Sequence, residues 1–127
     1  MFRPKLLALV AALLIGLMSA IPALAASNSV TDLRLAPGAT VCLSPLSATS
    51  SADAQGTANG GGANFVVYNG AVNATQPVYI AQNSSSFHAT FSTSFPQGAT
   101  FPGKFKLCAT NPSTVNNTRI SMSLTTN

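Results

Sequence analysis

Two cysteines constrain this chain more than any other residues. Cys42 and Cys108 are its only cysteines, and each stands in a run where apolar and polar side chains alternate. In "TVCLS", Val41 and Leu43 fall on one side, with Thr40, Cys42 and Ser44 on the other. In "GKFKLCATNP", Phe105, Leu107 and Ala109 fall opposite Lys104, Lys106 and Cys108. Strand side chains alternate between faces, so both cysteines point away from the apolar face. A disulfide between them would lie on the outside of a sheet and staple neighbouring strands near the two ends of the mature chain. Closing so long a loop is worth roughly 4 kcal/mol in the chain-entropy treatment. That is a large share of the ~5–15 kcal/mol that holds a domain folded.

A disulfide needs an oxidising compartment, and the first residues supply the route to one. "MFRPK" carries Arg3 and Lys5, an apolar run follows, and "IPALAAS" ends it with Ala23 and Ala25 at the small-residue positions. This is the pattern of a secretory signal peptide. Residues 1–25 are expected to be removed, leaving 26–127 as a single secreted domain, with no membrane span after cleavage. The expected location is extracellular, or periplasmic in a Gram-negative host. The charged residues after position 25 are Asp32, Arg34, Asp53, Lys104, Lys106 and Arg119, four cations against two anions. They do not cluster as phosphate recognition requires, so no nucleic-acid partner is expected.

Short alternating runs recur between turn residues. They predict strands over 31–36, 39–44, 64–69, 76–82, 86–93, 104–110 and 118–126. Such a series, with few strong helix formers, predicts an all-β fold: a small antiparallel β-sandwich of about seven strands. Residues 45–63, "PLSATSSADAQGTANGGGA", are read as a flexible Ser/Ala/Gly-rich loop. The spacing of the cysteines and the stretch "GKFKLCATNP" resemble the second cysteine strand of an immunoglobulin domain. That resemblance implies immunoglobulin-like topology. The family's tyrosine two positions before the second cysteine is here Lys106, and the chain has no tryptophan.

The chemistry on offer is sparse. Asp32 and Asp53 are the only carboxylate side chains and His88 the only imidazole. A glycosidase would need Asp32 and Asp53 together, and a Ser-His-Asp triad would need His88. In "SFHATF", Phe87, Ala89 and Phe91 share one face, which turns His88 outward. Neither set nor any metal-ligand spacing is complete, so no catalytic residues, no metal and no cofactor are expected. Three features suit binding. Val66, Tyr68 and Tyr79 form a possible aromatic patch opposite the core. Phe95 and Phe101 flank a loop, 94–103, where they either plug the core or touch a partner. Asn73, Asn83 and Asn116 match the glycosylation sequon. The reading is a secreted, non-enzymatic β-sandwich acting as an extracellular structural or binding module. Its partner would be an extracellular protein or glycan, or a second copy of itself. The alternative is a loop-based inhibitor or ligand-capture protein.

Overall fold

Small or apolar side chains alternating with polar ones build an all-β chain in the computed structural model, which describes residues 25–94 and 98–127. Its nine strands, among those residues, are β1 (Ala26–Leu35), β2 (Thr40–Cys42), β3 (Leu46–Ala48), β4 (Ser51–Ala58), β5 (Ala63–Gly70), β6 (Gln76–Ser84), β7 (Ser86–Ser92), β8 (Gly103–Thr110) and β9 (Thr118–Thr126). The expected signal segment, save Ala25, lies outside the described residues, as does Phe95. No helix among the described residues is long and apolar enough to cross a membrane.

The strands form two antiparallel sheets. One runs in the order β1-β9-β4-β7 (sheet A), the other β2-β8-β5-β6 with β3 also on β8 (sheet B). Their inner faces pack against each other through aromatic rings. Phe65 of β5 lies 4.7 Å from Phe87 of β7, and Phe91 of β7 lies 5.5 Å from Phe105 of β8. Val67, Leu107, Ile120 and Leu124 complete a core with almost no solvent contact. Burying each such side chain stabilises by about 1.5–3 kcal/mol.

The segment 45–63 is not a loop. It contains β3 and β4, and β4 is an interior strand of sheet A, paired with β7 on one side and β9 on the other. The count is therefore nine strands rather than about seven. The physical reason is the small inner half of the alternation. Ala52, Ala54, Gly56 and Ala58 face inward, while Ser51, Asp53, Gln55 and Thr57 face outward. Small residues are required there because phenylalanines from neighbouring strands fill the space. A Cβ on Gly56 would come 2.8 Å from ring carbons of both Phe65 and Phe87.

The expected Cys42–Cys108 disulfide is present. The two cysteines face each other directly across β2 and β8, with Cα atoms 4.0 Å apart. The bond thus joins neighbouring strands of one sheet on its outer face, as the phase of the flanking residues predicts. An immunoglobulin disulfide spans two sheets instead. The strand order departs from that family as well, since the last strand, β9, lies between β1 and β4. Next to the disulfide, the Thr40 and Thr110 hydroxyls are 2.7 Å apart on the same face.

Two buried amides fix the connections. The Asn69 side chain accepts from the Thr100 N–H and donates to the Lys104 carbonyl. Asn111 donates to the carbonyls of Leu35 and Asn116 and accepts from the Ser113 N–H. Each satisfies backbone groups that would otherwise be orphaned in a turn.

Candidate functional site

The outer face of sheet A is built in transverse rows. Ser27, Thr125, Asp53 and Thr90 are in register across β1, β9, β4 and β7; Ser29, Ser123, Gln55 and His88 form the next row. Ser121, Thr57 and Ser86 continue it across β9, β4 and β7. All of these side chains are polar, and most are short hydroxyls. The second and third rows line a shallow trough of about 620 Å³, with Gly56, Phe87 and Met122 also in its wall. The Ser121 hydroxyl accepts from the Asp32 N–H where β1 bulges, which ties the trough's rim to β9.

Asp53 and His88, one of the two carboxylates and the imidazole, meet in this face. His88 Nε2–H donates to Asp53 Oδ1 at 2.5 Å, and Thr90 Oγ1–H donates to the same oxygen at 3.2 Å. The placement follows from β4 being a strand rather than a loop. Both side chains are well exposed, at 60% and 40%. The arrangement orients an imidazole, as the Asp–His half of a triad does. Among the described residues, His88 makes no side-chain hydrogen bond to a hydroxyl. At this exposure the ion pair is worth ~0–1 kcal/mol. His88→Ala is expected to move a thermal melt by no more than that, and a loss of several kcal/mol would contradict the surface placement. Asp32, the other carboxylate, pairs instead with Arg119 at 3.2 Å. The two acids are not brought together as a catalytic pair.

The outer face of sheet B carries part of the predicted aromatic patch. Tyr68 is there, opposite Lys106, whose Nζ lies 4.9 Å from the ring centroid. Val66 lies opposite Cys108 on one side and Ile80 on the other. Ile80, Val66, Cys108 and Cys42 therefore make one row across β6, β5, β8 and β2. Tyr79 does not join them. It is paired with the inward-facing Val67 and stacks on Phe87 at 5.9 Å, against the core. The reversal comes from two register shifts between β5 and β6, which turn Tyr79 in and Ile80 out. Ile80 is 57% exposed and takes the place that sequence reasoning gave to Tyr79. A short apolar run such as "VYI" reads equally well in either phase, and only Pro77 and the left-handed Asn83 hint at irregular pairing.

The two tyrosines are consequently expected to respond differently. Tyr68→Ser should cost under about 1 kcal/mol, the scale of an exposed cation–π contact. Tyr79→Ser should cost about 2 kcal/mol or more, because it opens a gap against Phe87. Urea melts of the two single variants check this, and equal losses would contradict it.

Phe101 is half-buried, with its ring 5.3 Å from Phe105. It closes the end of the core, one of the two roles that its position in the 94–103 loop allowed. The three sequon asparagines, Asn73, Asn83 and Asn116, are exposed.

No known protein-family model matches the chain, and no curated protein is significantly similar to it.

Proposed function

We propose that the protein is a secreted, non-enzymatic β-sandwich that works outside the cell as a structural or binding module, and that it engages its partner through the outer face of sheet A. The observation that carries the reading is the in-register array of hydroxyl and amide side chains on that face, with Gln55 and Thr57 at its centre on β4. A rigid face of many weak donors and acceptors suits a hydroxylated or polar extended partner, such as a glycan or another polypeptide. Affinity then comes from several concurrent hydrogen bonds rather than from one anchoring group. The disulfide supports the extracellular assignment, since such bonds persist in oxidising compartments. Cleavage of a signal peptide after Ala25 belongs to the same proposal. The alternative, capture by a loop, keeps only 94–103, because 45–63 forms strands.

The test compares the native protein with a Gln55→Lys/Thr57→Lys variant, both side chains being exposed. The secreted protein is expected to begin at Ala26 and to co-sediment with extracellular material. The variant should melt like the parent yet stay in the soluble fraction. A secreted product that begins at Met1, or a variant that sediments undiminished, would contradict the proposal.

A further inference from the structure

A sheet edge exposes unpaired N–H and C=O groups, and proteins blunt such edges with bulges, prolines, charges or short strands. Three of the four edges here carry one of these devices. β6 has Pro77, two register shifts and a left-handed Asn83 at φ 48°. β1 has a register shift between Val30 and Leu33, with Asp32 at φ 53°. The edge formed by β2 and β3 consists of two three-residue strands interrupted by Pro45. β7 has none. It runs in unbroken register with β4 from Ser86 to Ser92 and contains no proline, glycine or lysine.

The free groups of β7 can be assigned. The Thr93 N–H donates to the Ser50 carbonyl, and the Ala58 N–H donates to the Ser85 carbonyl. These bonds fix the alternation: Phe87, Ala89 and Phe91 bond to β4, so the backbone groups of Ser86, His88, Thr90 and Ser92 point away from it. No strand among the described residues pairs with that side.

We propose that β7 pairs antiparallel with β7 of a second copy about a two-fold axis at Ala89, joining two four-stranded sheets into one of eight strands. The sequence "SFHATFS" is self-complementary in this register. His88 lies opposite Thr90 of the second copy, Phe87 opposite Phe91, and Ala89 opposite itself. All seven residues overlap, the outward-pointing groups meet in hydrogen-bonded pairs, and no like charges oppose each other. A shift of the axis to His88 would set two imidazoles face to face and shorten the overlap. An isologous contact closes on itself, so the product is a dimer and not a fibre. Phe87 and Phe91 are already buried in the monomer. The contact therefore adds backbone hydrogen bonds but little apolar area, and the dimer is reversible. The hydroxyl faces of the two copies become one continuous surface, which doubles the contacts available to a repeating partner. This inference rests on the binding-module reading.

The test measures molar mass of the purified secreted protein against concentration, with amide hydrogen exchange at each concentration. The expected result is a mass that doubles as concentration rises, with the His88, Thr90 and Ser92 amides slowing in parallel. Thr90→Pro removes an N–H that β4 does not use, and should hold the protein at monomer mass. Should that variant fail to fold, the exchange data on the native protein decide. A monomer at every concentration would overturn the proposal. So would a dimer whose β7 amides still exchange freely, or β7 amides that slow only when a different extracellular protein is added. A native protein that stays monomeric at every concentration and still sediments with extracellular material would sink this inference and leave the module reading standing.

Discussion

Replacing residues 51–58 with a Gly/Ser linker of the same length is expected to abolish cooperative folding. β4 is hydrogen-bonded along its whole length to β7 and to β9, so its loss separates the two halves of sheet A. It also removes Ala52, Ala54 and Ala58 from the core and uncovers Phe65, Phe87 and Phe91. The sum exceeds the ~5–15 kcal/mol of a typical domain. Thermal and urea melts should show no sigmoidal transition. A variant that kept a cooperative melt would mean that the segment is peripheral after all. Gly56→Leu probes the same wall more gently. Its side chain must enter space that two phenylalanine rings occupy at 2.8 Å from the Cβ position. Overpacking of this kind costs ~1–3 kcal/mol.

The Cys42→Ala/Cys108→Ala variant is expected to lose roughly 4 kcal/mol, the chain-entropy value for a closed loop of this length. For a domain of about a hundred residues, that corresponds to a fall in melting temperature on the order of 20 °C. The bridge joins residues 66 positions apart in sequence, and it ties β2, a strand of three residues, to β8. Denaturant melts of the parent and the double variant measure the difference. A change below about 1 kcal/mol would show that the unfolded chain gains little freedom when the bridge is removed.

Much of this architecture could be read from single strands. The runs around Phe87, Phe105 and Ile120 carry bulky apolar residues in alternation, the run around Phe65 is apolar on both faces, and they form β7, β8, β9 and β5 as expected. The outward phase of Cys42 and Cys108 was likewise legible, because it depends only on near neighbours in sequence. β4 reads as a loop in sequence because its buried half is alanine and glycine. The alternation in "ADAQGTA" is as regular as any other in the chain, but it signals a strand only once large side chains are known to face it. The sheet order was also hidden, since nothing local says that β9 will separate β1 from β4. At the site, the missed strand hid the meeting of Asp53 with His88, and the β6 bulges exchanged Tyr79 for Ile80. Both misses concern relations between strands rather than properties of one.

The proposed binding face exists only if β4 is a fixed interior strand that holds Gln55 and Thr57 in register with their neighbours. Native-state amide hydrogen exchange along residues 51–58 measures this directly. Pairing on both sides engages the backbone N–H groups from Ala52 to Ala58. The Ala54, Gln55, Gly56 and Thr57 amides are therefore expected to exchange only through global unfolding, with the same free energy as the Phe65 and Leu107 amides. Exchange at the fast rate of the exposed turns would contradict the account. It would return the segment to a mobile loop and remove the surface on which the proposed function rests.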